Sequence, residues 1–414
     1  MLEDQTTDKV LFNASEIADA FAHIESLWPK LTVSQTDDEG TLIGLPYPYI
    51  IPSADTNGGF VFREMYYWDT YFVMQGIAQT GHQELAEGML ENMIFLIKKL
   101  NMVPNGSRYY HSSRSQPPLL TSYIFEIYEK YEKSDEWLRE RIAVAEREYQ
   151  NVWMGTEQPN IRQVHNGLSR YYDINVTDDL AECESGWDMT TRFNGHCLSF
   201  IPVDLNSLLY KYEKDFSRAY QIFGDEDTSE VWDQKAAFRA KAIENELWDA
   251  EKGFFFDLNF ETGELSEVWS LASLYPLWSG LATPDQAEKI KNNLEKLTFQ
   301  GGLSATGPEN NDERPITKQW AYPNGWAPIN WMSIQGLSRY GYVDLAETLA
   351  RKWLKTNLDY YKNFGFFREA YNVVSPLDNP VEGVYPSQTG FGWTNAVFID
   401  LAKNYLSPDE LKLV

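Results

Sequence analysis

The sequence predicts an all-α fold: a closed (α/α)6 toroid with long loops at one end and a small β-hairpin. Three observations predict it. Amphipathic helical periods recur through most of the 414 residues. Strand signal is sparse. The helical segments come mostly in consecutive pairs joined by short turns that carry Gly or Pro.

Asn13-Ala14-Ser15 opens the first helix, with Ile17, Phe21, Ile24 and Leu27 on one face. The same periodicity predicts helices over 68–80, 83–100, 117–131, 135–154, 203–222 and 230–247. It continues over 268–280, 284–297, 325–340, 343–358 and 391–405. Turns such as QTGHQE and SRYGYVD separate neighbours. GFFFDLNFETGELS (Gly253 to Ser266) alternates and turns at Glu261-Thr262-Gly263, so it reads as a hairpin. Twelve helices in six pairs close a ring, whereas an open solenoid needs self-similar repeats of about 34–47 residues, and none is visible. With no linker and no low-complexity tract, residues 1–414 read as one domain. The long irregular stretches 38–66, 101–116, 156–188, 300–324 and 363–390 hold the unusual residues. A site is expected where such loops gather at one end of a rigid ring.

Composition narrows the function. With 35 basic and 61 acidic residues the formal charge is −26, which repels phosphate backbones and anionic membranes. No nucleic-acid or membrane partner is expected, and no run of about 18 apolar residues exists to span a bilayer. The first ten residues, MLEDQTTDKV, are acidic and polar rather than signal-like, so a cytoplasmic location is expected. Cys183 and Cys197 read as free thiols. The five histidines stand apart, and HExxH, CxxC, DxDxDG, GxGxxG, P-loop and GxSxG patterns are missing. No metal or cofactor is expected, and hydrolytic chemistry falls to carboxylates. The 14 Trp and 25 Tyr fit a large aromatic core and equally a surface that stacks on sugar rings.

Several acids sit in aromatic surroundings. Asp188 lies in ESGWDMTTRF, beside Trp187. A carboxyl held against indole in a dry pocket has a raised pKa, which suits a general acid. Glu369 lies in FGFFREAYNV, and Glu64 and Asp69 lie in FREMYYWDTY. Two carboxyl groups converging from distant loops are what glycoside hydrolysis needs. An ordinary acid more often caps a helix or pairs with arginine; Glu64 has Arg63 and Arg108 at hand for that. Three loops offer sugar-binding surfaces. VPNGSRYYHSSRSQPP supplies Asn105, Arg108, Arg114 and Gln116; KQWAYPNGWAP supplies Gln319, Trp320, Asn324 and Trp326; TGFGWTN supplies Trp393.

The motifs FREMYYWDTYF, PNGSRYYHSSRSQPP, SGWDMTTRF, IPVDLNSL, QWAYPNGWAP and GFGWTN resemble those of the α,α-trehalase family, in order, across about 50–400. The resemblance implies an (α/α)6 toroid that hydrolyses an α-glucosidic bond with inversion, without metal or cofactor. It implies Asp188 as general acid and, through REAYNV, Glu369 as general base. It places glucose contacts on Phe62, Trp68, Asp69, Asn105, Arg114, Gly186 and Trp326, with Gln319 and Trp320 in the same wall. Arg63, Tyr67, Arg108, Gln116, Trp187, Tyr322, Tyr385, Gln388 and Trp393, in or beside these motifs, complete the expected binding set.

The departures concern charged contacts. Val61 stands where the family pattern has an arginine, Ala321 where it has an aspartate and Val384 where it has a glutamate. An arginine-bearing RPES-type stretch is replaced by VTDDLAECE. Each lost charged hydrogen bond costs about 1.5–3 kcal/mol. The sequence therefore predicts an inverting hydrolase of a different small α-glucoside, such as the compatible solutes glucosylglycerol or glucosylglycerate. For the latter, Arg63, Arg108 or Arg368 is the expected basic partner. A trehalase with rearranged subsites and a sugar-binding protein without activity are the alternatives.

Overall fold

The computed structural model describes residues 10–53, 62–309, 311–383 and 387–411. Twelve helices build its frame: α1 (Ala14–Leu31), α2 (Tyr67–Ile77), α3 (Gln83–Leu100), α4 (Leu120–Lys130), α5 (Asp135–Glu148), α6 (Val203–Ile222), α7 (Glu226–Leu247), α8 (Tyr275–Ser279), α9 (Pro284–Asn293), α10 (Ala327–Arg339), α11 (Val343–Phe364) and α12 (Gly392–Tyr405). The even-numbered helices form the inner ring. Helix α12 packs on α2, α4 on α6, α6 on α8, α8 on α10 and α10 on α12. The ring closes between α2 and α4 through Tyr71, whose hydroxyl donates to Glu126 at 2.6 Å. The odd-numbered helices pack outside, as in α2 with α3, α4 with α5, α6 with α7 and α10 with α11.

Sequence pattern separates the two rings. An outer helix has one wet face, so α1 buries Ile17, Ala20, Ile24, Trp28 and Leu31 and leaves its acids and lysine in water. An inner helix is enclosed on all sides. In α2 every residue but Gln75 is buried, and in α12 the run Gly392 to Ala402 is buried throughout. Asn13 caps α1 by accepting the Ser15 N–H at 2.9 Å.

Expected and observed boundaries differ for physical reasons. The segment 268–280 is a 3-10 turn (Leu271–Leu274) leading into α8. Pro276 has no N–H and fits only the first turn of a helix. Asn324–Trp326 extends as a strand against Ala370–Asn372, so α10 starts at Ala327 rather than at 325. Helix α11 runs on to Phe364, where Gly365 at φ 82° ends it. Helix α5 passes into a π-helical turn at Tyr149–Trp153. The hairpin is shorter than expected: Leu258–Asn259 pairs with Glu264–Leu265 around the expected turn, while Phe254–Phe255 pairs back to Trp248–Asp249. The irregular stretch 156–188 hides a helix over Asp178–Ser185.

One buried ion cluster ties the loops to the ring. Arg192 is fully buried and bonds Asp204 of α6 through both Nη atoms, at 2.9 and 3.1 Å. It bonds Asp257 through Nε and Nη2, at 3.0 and 2.8 Å. Its guanidinium also lies 4.5 Å from the Trp187 ring centroid. Paired and fully hydrogen-bonded charges are tolerable inside a protein, but an orphaned one is not. Replacing Arg192 by Met strands two buried carboxylates. Unfolding in urea should then report a loss of about 3–5 kcal/mol, and an unchanged midpoint would show that the cluster does not hold the fold.

Candidate active site

The amino ends of α2, α10 and α12 face one cavity of about 150 Å³. Trp68 and Asp69 sit in the first turn of α2, Trp326 is the N-cap of α10, and Trp393 is in the first turn of α12. The loops contribute Phe62, Asn105, Arg114, Gln116, Gly186, Asp188, Trp320 and Glu369. All of these were expected from the sequence. Pro52, Tyr66, His111, Cys183 and Phe391 also line the cavity and were not.

The cavity floor is indole. Trp320 and Trp326 stack at 3.9 Å and 6°. Trp68 packs on Trp320 at 5.5 Å, and Trp393 presents its edge to Trp68, Trp320 and Trp326 at 6.0 Å. The Trp326 Nε1–H donates to the Gln319 carbonyl at 3.0 Å, so the turn that carries these rings is locked to them. The Tyr322–Pro323 peptide within that turn is cis, as is Asp188–Met189.

Three carboxyl groups converge above this floor. Burial pushes the Asp188 carboxyl up to about 7, against the opposing pull of its own backbone N–H and the charge of Arg114. Burial also raises Asp69 well above the usual range, and the nearby Glu369 and Asp188 raise it further. Glu369 is 2% exposed. It sits just before the strand Ala370–Asn372, and its carboxylate accepts the Gln388 N–H at 3.2 Å. The Trp393 Nε1–H donates to the Glu369 carbonyl at 3.3 Å, fixing that backbone to the indole floor.

Local chemistry places Asp188. The helix Asp178–Ser185 ends at Gly186, whose φ is +73°. A Cβ there would meet the Trp68 indole at 2.7 Å, so only glycine lets the chain turn beneath that ring. The side chain of Gln319 donates to the Asp188 carbonyl at 2.6 Å. On the opposite wall, Asn105 donates to the carbonyls of Ser115 and Cys183, at 3.2 and 2.9 Å. Gln116 accepts the Trp68 N–H at 3.1 Å. Arg114 is held by Asp173 at 3.1 Å, while its buried Nε has no protein partner. Among the described residues, no group of three or more His, Cys, Asp or Glu is arranged to hold a metal ion.

Several expected binding residues lie elsewhere. Arg63 is 45% exposed and pairs with Glu39 at 3.1 Å. Arg108 pairs with Glu64 at 3.1 Å, the structural role open to that acid. Arg368 reaches Asn379 at 2.9 Å. None of these three arginines lines the cavity. Tyr67 points away from the cavity, donating to Glu148 at 3.1 Å and sharing a 2.9 Å bond with Tyr212. Trp187 is fully buried behind the floor, 5.7 Å from Trp320. Gln319 and Gln388 act on the two acids through backbone contacts rather than by facing the cavity. Tyr322 is 37% exposed and packs on Phe299 at 5.4 Å. Ala321 is buried in its turn and does not line the cavity. Tyr385, Val61 and Val384 lie outside the described residues. The helix Asp178–Ser185 turns its charges away: Glu182 bonds Arg314 at 2.6 Å and Glu184 bonds Arg162 at 2.9 Å, leaving Cys183 toward the cavity.

Gly186→Ala imposes a left-handed backbone costing about 1–2 kcal/mol, and the contact with Trp68 adds to it. The variant should melt earlier and lose turnover together; a variant with wild-type melting and kinetics would show that the approach is not tight.

Comparison with known proteins agrees with this architecture. The sequence profile of the trehalase family matches residues 3–183 and 179–406. A periplasmic trehalase of Xanthomonas campestris pv. campestris (strain B100) is 34% identical over 437 aligned positions, covering 94% of this chain and 74% of that protein. Neutral trehalase Nth1 from Saccharomyces cerevisiae superposes with a TM-score of 0.76 at 30% identity, covering 88% of this chain and 75% of that one. A GH63 mannosylglycerate hydrolase from Thermus thermophilus, solved in complex with glucose, shares the fold at TM-score 0.65 and 18% identity, over 93% and 99% of the chains. An (α/α)6 ring, an indole-floored cavity with three converging acids, and these matches lead to one conclusion: the chain belongs to the trehalase family and is a glycoside hydrolase.

Proposed function

We propose that the chain hydrolyses a small, neutral α-glucoside with inversion, with Asp188 as general acid and Glu369 as general base. The observation that carries this reading is the Asp188 carboxyl, held to about 7 by burial at a cavity it shares with Glu369. Near neutral pH a large share of Asp188 keeps its proton. It passes that proton to the glycosidic oxygen as the C1–O bond breaks. Glu369 takes a proton from a water that attacks C1 from the opposite face, so the sugar leaves as β-glucose. Trp68, Trp320, Trp326 and Trp393 supply apolar faces for the ring, and Asn105, Arg114, Gln116 and Asp69 supply groups for its hydroxyls.

The lining charges favour a neutral aglycone. Among the described residues, Arg114 is the one cationic side chain at the cavity, and it is already paired with Asp173. A glycerate carboxylate would face Glu369, which the mechanism keeps ionised, with little compensation. Glucosylglycerol therefore fits better than glucosylglycerate. Trehalose is the second reading, favoured by the 34% identical trehalase and by Ala321, a departure from the family pattern that does not line the cavity.

Three outcomes test this. Incubation with glucosylglycerol, glucosylglycerate and trehalose, followed by proton NMR, should show β-glucose first from glucosylglycerol and glucosylglycerate. Trehalose, whose leaving group keeps its α configuration, should give β- and α-glucose in equal amounts, and kcat/KM should be highest on glucosylglycerol. First release of α-glucose from glucosylglycerol or glucosylglycerate contradicts inversion, a preference for trehalose establishes the second reading, and binding without turnover indicates a sugar-binding protein. Asp188→Asn and Glu369→Gln should each lower kcat at least about 100-fold with melting temperature kept; undiminished turnover removes the assignment. Because the acid works protonated, kcat should fall as pH rises through about 7, and a rate flat to about pH 9, beyond the reach of such an acid, contradicts the role of Asp188.

A further inference from the structure

His111 is the polar member of an otherwise committed aromatic wall. From the floor the wall runs Trp393 to Phe391 (4.8 Å), Phe391 to Phe62 (6.3 Å), Phe62 to Tyr66 (5.8 Å) and Tyr66 to His111 (5.7 Å). Trp326 and Trp393 spend their ring N–H groups on backbone carbonyls, and Tyr66 donates its hydroxyl to Glu64 at 3.1 Å. His111 is 9% exposed and lines the cavity; its Nδ1 is shielded against Gly106, and among the described residues no group bonds its Nε2, which is the nitrogen left for a ligand. The ring is fixed in place. Tyr110 packs on it edge-on at 4.4 Å, and Gly106 leaves room where a Cβ would come within 2.7 Å of Nδ1.

A buried polar group left without a partner costs about 1–3 kcal/mol, so a ligand hydroxyl that meets a free nitrogen at the cavity is favoured. Arg114, on the same wall, likewise holds a buried Nε with no protein partner.

We propose that His111 is a specificity-determining residue that hydrogen-bonds a hydroxyl of the bound glucoside as a neutral imidazole. This rests on the glycosidase reading of the same cavity. Through its tautomer a neutral imidazole can present Nε2 as a donor or as an acceptor, and either matches a sugar or polyol hydroxyl; an imidazolium could only donate. Burial first, then the charges of Arg114 and Arg108, hold the ring's pKa down to about 4, with Glu64 opposing them. It therefore stays neutral across the working range.

The test compares wild type, His111→Leu and His111→Gln, reading kcat and KM on the glucosides turned over, D-glucose affinity by calorimetry, and melting temperature. Leu keeps the bulk and removes the hydrogen bond; Gln restores donor and acceptor. His111→Leu should fold normally and weaken either KM for the glucoside or glucose affinity about five- to tenfold, as expected for one uncharged hydrogen bond. His111→Gln should recover most of it. In wild type, KM should show no break near about pH 6.5, the ordinary histidine value. His111→Leu within about twofold of wild type in both KM and glucose affinity, less than one hydrogen bond is worth, or Leu and Gln equally impaired, overturns the proposal. If wild type turns over no glucoside, the glycosidase reading fails on its own, and glucose affinity still decides whether His111 binds sugar.

Discussion

Desolvation of Asp188 is the constraint on which the rest of the site depends. A carboxyl in water is ionised near neutral pH and cannot serve as an acid there. Here the indole floor and the turn beneath Trp68 remove that water. The stacked Trp320–Trp326 pair, braced by Trp68 and Trp393, closes the base of the cavity. Each aromatic pair contributes about 0.5–1.5 kcal/mol beyond its buried area, so the floor holds itself together while keeping water out. Its own backbone N–H and the charge of Arg114 favour the ionised form. Burial outweighs them.

That arrangement needs rigid support, and the support lies in buried ion clusters outside the cavity. Arg192 joins the segment carrying Asp188 to α6 and to Asp257, while its guanidinium backs Trp187. Arg314 binds Asp179, Glu182 and Asp312, pinning the helix Asp178–Ser185 that ends at Gly186. The acidity of the chain is thus of two kinds. Part is solvated surface, and part is paired inside to hold loops against the ring. The charged residues that remain at the cavity are mostly acids, which suits a neutral substrate and a mechanism run by carboxylates.

The ring was legible because inner and outer helices carry different patterns. Outer helices such as α1 show a clean apolar face, and inner helices such as α12 (GWTNAVFIDLAKNY) interleave apolar residues with small or amide side chains that can be buried, so both were visible to periodicity. Boundaries failed where tertiary pairing took over: Gly325 and Trp326, expected to open α10, pair instead with Tyr371 and Ala370. The helix Asp178–Ser185 was missed because it is only eight residues long and mostly polar; Arg314 and Arg162 pair with its acids. At the site, motifs located Asp188, Glu369, Trp68, Trp326 and Trp393. They overreached at Arg63, Arg108 and Tyr67, since a motif contains structural residues as well as contacts. His111 was overlooked because a lone histidine carries no spacing signal, although it shares a loop with Arg114.

The most direct test of a dry, protonated Asp188 is its own titration. Infrared difference spectra between wild type and Asp188→Asn, collected on both sides of neutrality, isolate the carboxyl band of that residue. A midpoint at about 7 is expected. A midpoint at about 4, the ordinary value for aspartate, would show the cavity to be wet and would contradict the account of how this site makes an acid.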